Sequence, residues 1–161
     1  VHEGGISTPL IAHWPDRIKG PVKAHEPCHV VDILPTILAA AGARPLSEVN
    51  GEAALSPDGE DITALLTGAD WSRERPIYWE HEGNAAVRTG EWKLVRRYGQ
   101  AWELYQMDED RTELNDLSGG EPARVAALTR DYEAWAADVG VRDWASLSLD
   151  LQRQWGMESD R

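Results

Sequence analysis

The stretch Pro76-Ile77-Tyr78-Trp79-Glu80-His81-Glu82-Gly83-Asn84-Ala85-Ala86-Val87-Arg88-Thr89-Gly90-Glu91-Trp92-Lys93-Leu94-Val95-Arg96-Arg97 decides the fold. From Arg75 onward the apolar residues leave helical spacing for short strand-like runs separated by Gly and polar breaks. The pattern predicts strands over Pro76–Glu80, Ala85–Arg88 and Glu91–Arg97, the last two joined by a tight turn at Thr89-Gly90, where glycine supplies the positive φ. Tyr98-Gly99 interrupts it and Trp102–Met107 resumes it, so the region reads as an antiparallel meander. Downstream, Pro122 suits a helix start, and Val125, Leu128, Tyr132, Trp135 and Val139 form an apolar stripe able to lie across that sheet. From Val141 to Arg161 two tryptophans remain without a clean period.

Upstream of this stretch the reading is different. Ile6 to His13, closed by Trp14-Pro15, is expected to be a buried strand, and Asp16 to Pro27 a connecting loop. Val30, Ile33, Leu34, Ile37, Leu38 and Ala41 share one helix face, with Asp32 placed to cap the first turn, Pro35 tolerable only within that turn, and Gly42 to close the end. Ala43 to Glu60 is a polar surface excursion, and Asp61 to Gly68 a short helix with a glycine stop. The change of period divides the chain into residues 1–74, a strand, helix and loop excursion, and residues 75–161, an antiparallel sheet with its helix.

Composition narrows the function. A net charge of −12 excludes a clustered cationic surface of the kind nucleic acids require. No run approaches the roughly 20 apolar residues of a membrane span. The single cysteine, Cys28, forbids an internal disulfide and leaves the compartment, periplasmic or cytoplasmic, undecided, as is the oligomeric state. There is no initiator Met, and Val1 to Ile11 reads as a loop entering a strand, so the expectation is of a chain that starts inside a longer protein.

Among candidate sites, Glu80-His81-Glu82 beside Gly83-Asn84 stands out, because flanking carboxylates hold an imidazole in one tautomer and favour its charged form. His81 and Asn84 are therefore substrate-cleft candidates, with a loop-fixing polar network as the other reading. Trp79, Trp92 and Trp102 are expected to be scaffold, since a chain without Phe builds its core from other aromatics. His25, Cys28 and His29 lie too close together for a structural zinc site, and Asp108, Asp110 and Glu113 lack the repeat and glycine of a calcium loop, so no metal ligand is expected in this chain.

Several ordered motifs resemble those of the sulfatases. Glu3-Gly4-Gly5-Ile6-Ser7-Thr8-Pro9-Leu10-Ile11 followed by Trp14-Pro15 is similar to a segment late in their catalytic domain, and His29 to Leu38 is similar to the helix that follows it. Trp79-Glu80-His81-Glu82-Gly83-Asn84, Ala86-Val87-Arg88-Thr89-Gly90-Glu91-Trp92-Lys93-Leu94 and Glu103-Leu104-Tyr105 through Glu113-Leu114-Asn115-Asp116-Leu117 resemble the C-terminal subdomain of bacterial arylsulfatases. The resemblance implies an α/β fold: the C-terminal end of an alkaline-phosphatase-like catalytic domain plus a small antiparallel sheet packed by a long helix. It also implies a hydrolase of sulfated small molecules or carbohydrates whose formylglycine nucleophile and Ca²⁺ lie upstream of Val1, with His2 and Glu3 near the floor of the cleft. The nucleophile arises in a Cys/Ser-x-Pro-x-Arg motif, which Cys28 does not satisfy because Val30 stands at the proline position. The chain alone is accordingly expected to be inactive. Two alternatives carry the same residues: a phosphodiesterase or phosphonate monoester hydrolase of that superfamily, or a non-catalytic tryptophan-rich binding module.

Overall fold

The structure is a computed structural model and describes residues 1–147 and 151. Trp155, one of the two tail tryptophans, lies outside the described residues. In chain order the elements are α1 (Glu3–Ile6), a 3-10 turn (Val30–Asp32) running into α2 (Ile33–Ala40), β1 (Glu48–Val49), β2 (Glu52–Ala53), α3 (Thr63–Thr67), β3 (Ile77–His81), β4 (Asn84–Thr89), β5 (Trp92–Arg96), β6 (Glu103–Gln106) and α4 (Pro122–Asp138). They form two compact units, one of Val1–Thr8 with the chain from Pro76 onward, the other of Pro9–Arg75.

In the first unit β3, β4, β5 and β6 pair in sequence order, all antiparallel, as the meander requires. His81 pairs with Asn84 across a two-residue turn in which Glu82 (φ 53°) and Gly83 (φ 79°) are both left-handed, the type I′ geometry that matches strand twist. Thr89 pairs with Trp92 across Gly90 (φ 56°) and Glu91. On one face Ala85, Val87, Leu94 and Leu104 pack beneath Leu128 and Tyr132 of α4, flanked by Trp92, Trp102 and Val125. Tyr78 stacks on Trp135 with centroids 4.8 Å apart, and the guanidiniums of Arg124 and Arg96 lie over the rings of Trp92 and Trp102. On the other face Ala86, Val95, Tyr105 and Met107 form a second cluster with Trp79 and Val1. Burial on both faces explains the consecutive apolar residues Ala85–Val87 in β4 and Leu94–Val95 in β5. Trp79, Trp92 and Trp102 pack partly buried against these clusters, the scaffold role expected of them.

The unit of residues 9–75 corrects two expectations. Ile6 to His13 is not a strand: Ile6 ends α1, and the segment after it pairs with none of the described strands, leaving Leu10 53% and Ile11 89% exposed. A strand exists only through the ladder of a neighbour, and apolar content alone does not supply one. The predicted helix is present as α2, but its apolar stripe of Val30, Ile33, Leu34 and Ile37 is exposed, and the residues it buries are Asp32 and Thr36.

Asp32 does not cap α2 with its side chain. Its carboxylate accepts the His29 N–H at 2.7 Å and the Glu60 N–H at 2.9 Å, and pairs with the guanidinium of Arg73, whose Nε donates to the Pro27 carbonyl at 3.1 Å. The Thr36 hydroxyl donates to the Asp32 carbonyl at 2.6 Å and accepts the Ile62 N–H at 3.1 Å. One buried acid thus ties the 3-10 turn, α2, the loop before α3 and the segment at Arg73 together. Gly59 sits against the backbone of Val31, where a Cβ would meet the carbonyl oxygen at 2.2 Å. As anticipated, α3 ends on Gly68 (φ 80°), with Asp61 accepting the Thr63 N–H at 2.8 Å.

Candidate functional site

Alternation along β5 places Lys93 on the face that carries Val95, opposite Arg88 on β4 and Tyr105 on β6. An ammonium on a buried face is sustained only by partners, and the chain brings two. Lys93 Nζ, fully buried, lies 3.0 Å from Glu3 Oε1 and 2.6 Å from Glu113 Oε1, with the ring of Trp79 5.7 Å away. Glu113 Oε2 accepts the backbone N–H of Glu3 at 2.9 Å, and Arg111 stands 4.0 Å from the free oxygen of Glu3. Glu113 reaches this position from a left-handed backbone (φ 57°), and its side chain is only 4% exposed. The lysine sits between two carboxylates from distant segments, which suits it to holding those segments in place.

His2 and Glu3, the two expected cleft residues at the chain start, are both drawn to this face. His2 Nε2 lies 3.3 Å from Glu103 Oε2, and the same carboxylate accepts the Tyr105 hydroxyl at 3.1 Å. Burial, then the hydrogen bond to Glu103, pushes the Tyr105 phenol well above its ordinary range, so it remains a donor at neutral pH.

His81 and Asn84 lie together at the tip of the β3–β4 hairpin. The Asn84 amide donates to the His81 carbonyl at 2.7 Å and accepts the Tyr98 N–H at 3.1 Å, while Glu80 accepts the Gly83 N–H at 2.8 Å. Asn84 therefore fixes the turn, and the His81 imidazole, 74% exposed, projects from it with Glu82 4.0 Å away. A Cβ on Gly83 would fall 2.5 Å from Tyr98.

The remaining sequence candidates are spent on loops. Asp110 accepts the amides of Asn115 at 2.7 Å and Leu114 at 2.8 Å, bonds that hold its carboxyl below the usual range. Burial pushes the Cys28 thiol up, with Asp32 adding to the shift, and burial pushes the His29 imidazole down. Among the described residues no group of three or more His, Cys, Asp or Glu is arranged to hold a metal ion.

The family model of the N-sulphoglucosamine sulphohydrolase C-terminal region matches residues 1–132. The chain belongs to the sulfatase family. This sulfatase chain is 38% identical over 138 residues to arylsulfatase A of Homo sapiens, covering 81% of the chain and 26% of that protein. It is 32% identical over 120 residues to the N-acetylglucosamine-6-O-sulfatase of Bacteroides thetaiotaomicron, covering 69% and 21% respectively. The crystal structure of Ps i-CgsB matches it with a TM-score of 0.63 at 28% identity, over 77% of this chain and 27% of that one. The sulfatase chain thus spans about a quarter of the length of the curated relatives it matches.

Three of the motifs that carry the resemblance, at Glu3, at Trp92-Lys93 and at Glu113, meet in the ion cluster. The sequence singles out Glu3, but it shows Glu113 only as a member of an acidic group without calcium-loop spacing and Lys93 only as part of the strand Glu91–Arg97. A signal was present: Lys93 stands in a run of Trp92, Leu94 and Val95 that is otherwise apolar, and a lysine on such a buried face demands a carboxylate from elsewhere in the chain.

Proposed function

We propose that the complete protein carrying this chain hydrolyses sulfate esters, of carbohydrates or of aryl alcohols, and that this chain builds one wall of the substrate cleft. The observation that supports it most is the family match over residues 1–132 joined to the convergence of three of its motifs on Lys93. The names of the relatives, an arylsulfatase and an N-acetylglucosamine-6-O-sulfatase, favour those two ester classes.

In this reading residues 1–74 complete the α/β catalytic domain of the protein and residues 75–161 form its sheet subdomain. The exposed apolar stripe of α2, with Leu10 and Ile11, supports a catalytic domain larger than this chain, since surfaces of that kind are otherwise buried in a soluble protein. His2 and Glu3 enter the cleft floor, and the hairpin tip presents His81 to its rim, with Asn84 holding the turn. The formylglycine nucleophile and the Ca²⁺ are assigned to residues ahead of Val1. The sequence contains no Cys/Ser-x-Pro-x-Arg: Ser7-Thr8-Pro9 comes nearest but places Ile11 where arginine is required. Among the described residues no cluster of carboxylates or imidazoles fits the metal.

The test is turnover by the complete protein against 4-nitrophenyl sulfate, N-acetylglucosamine 6-sulfate and bis(4-nitrophenyl) phosphate, with inorganic sulfate as the readout. Sulfate release from either sulfate ester is the expected result. Cleavage of the phosphodiester with no sulfate release would replace this reading with the phosphodiesterase one. The 161-residue chain alone is expected to release nothing, and turnover by it would overturn the division of labour.

A further inference from the structure

We infer that the Lys93–Glu3–Glu113 cluster is a clasp that sets the position of residues 1–7 for catalysis, making Lys93 a positioning residue of the sulfate-ester reaction. The inference rests on the reading above for its catalytic half and on geometry alone for its mechanical half. Lys93 stands between Arg88 and Tyr105 across the strands, and the rest of that face, Ala86, Val95 and Met107, is apolar and fully buried. An aliphatic side chain would pack there without desolvating an ammonium, and a buried ion group is a poor way to gain stability compared with apolar packing. What the ions supply is direction. Lys93 comes from β5, Glu3 from the first residue of α1, and Glu113 from a loop held in an unusual left-handed conformation, so each contact fixes one segment against another.

The arrangement acts on the leading segment at two points. The Glu3 carboxylate is held by Lys93 at 3.0 Å, and its amide by Glu113 at 2.9 Å, before the Gly5 and Ser7 amides close α1 onto the His2 and Glu3 carbonyls at 2.9 Å each. His2, one residue earlier, is held separately by Glu103. A hydrophobic contact at the same place would let α1 slide, whereas two hydrogen-bonded ion contacts on one residue set both its height and its rotation.

The decisive comparison uses the complete protein in four forms: unmodified, Lys93→Met, Lys93→Arg and the double variant Lys93→Met/Glu113→Gln. The double variant removes one cation with one carboxylate, leaves Glu3 intact beside Arg111, and keeps an amide oxygen able to accept the Glu3 N–H. It separates folding from positioning, because it no longer leaves two buried carboxylates uncompensated. Three quantities are measured: the unfolding temperature, kcat and KM for 4-nitrophenyl sulfate, and hydrogen exchange of the peptide covering residues 1–7. Expected are a lowered unfolding temperature in Lys93→Met, its recovery in the double variant, and in both a kcat at least tenfold below the unmodified protein with KM changed less than threefold. Exchange in residues 1–7 should be at least tenfold faster in both, and Lys93→Arg should lie between them and the unmodified protein. A double variant with recovered stability and unmodified kcat would overturn the proposal and leave the cluster as packing. So would unchanged exchange in residues 1–7. If the unmodified protein releases no sulfate, the catalytic half falls with the sulfate-ester reading, and the exchange rates still decide the clasp.

Discussion

The two units reach order by opposite means. The sheet unit closes apolar clusters on both faces of β3–β6, and the largest fully buried apolar side chains among the described residues, Leu94, Leu104, Met107, Val87 and Val95, belong to it. The unit of residues 9–75 buries Ile62 and Leu65 among its apolar residues, leaves Leu10, Ile11, Val30, Ile33, Leu34 and Ile37 exposed, and is organised around the Asp32 carboxylate. Where apolar residues find each other within the chain, their period announces the fold directly. Where they do not, the same period describes a surface, and the internal order is carried by a few directional polar contacts.

The contrast is most exposed to attack at Asp32. Asp32→Ala strips two backbone amides and Arg73 of a fully buried partner, and is expected to cost about 3–5 kcal/mol in the 9–75 unit. Hydrogen exchange should accelerate in α2 and α3 and leave β4 and β5 as they were. Equal loss of protection in both would mean the units are not independently held. In the sheet unit, Gly83→Val forces a branched residue into φ 79° and its Cβ against Tyr98, an expected loss of about 2–4 kcal/mol seen as a lower denaturant midpoint with the 9–75 unit unaffected.

A pH titration sharpens the same division. Burial lowers the folded His29 below its ordinary 6.5, so the unfolded chain binds the proton more readily, and the 9–75 unit should lose stability as pH falls through about 6.5. Asp110 in the sheet unit is held below its ordinary 3.8 by the Asn115 and Leu114 amides, so its contribution is present above that value and fades only as pH falls below it. Exchange protection followed from pH 8 to pH 3 should fall first in α2 and only below pH 4 in the 108–118 loop. The reverse order would contradict the assignment of these groups. The smallest effect belongs to the exposed stripe: Ile37→Ser should change the stability of the isolated chain by no more than about 0.5 kcal/mol. The same substitution should cost clearly more in the complete protein if another part of the catalytic domain covers α2.

The sheet unit was legible because its determinants are local. Gly90 sets the two-residue turn Gly90-Glu91, one position after the expected Thr89-Gly90, and the strands follow within a residue or two of their predicted bounds. Pro122 opens α4, and Leu128 and Tyr132 are its buried contacts, although Val139 lies past its end and is half exposed. Ile6 to His13 was misread because a strand is defined by a neighbour, which the segment does not have among the described residues. Asp32 was legible only in part: its carboxylate does cap the first turn, at the His29 N–H, which is a local signal, whereas its partners at Glu60 and Arg73 are distant in sequence. The ion cluster was harder still. Its geometry joins residues 3, 93 and 113, and nothing local at any one of them names the other two.

That span bears on the order in which the molecule assembles. Glu3 and Lys93 are 90 residues apart, and Glu3 and Glu113 are 110 apart, while every pairing in the four-stranded sheet joins neighbours in the chain. The meander can zip up through short loops as it leaves the ribosome, but α1 must wait for Lys93 before the Glu3 carboxylate meets a partner and for Glu113 before the Glu3 amide does. The full clasp therefore closes only after every strand of the sheet has been made. A stall or truncation between residues 97 and 103 would yield strands β3 to β5 with an unpaired β5 edge and with Lys93 lacking one of its two carboxylates, a product that the quality-control machinery of a cell is well placed to recognise.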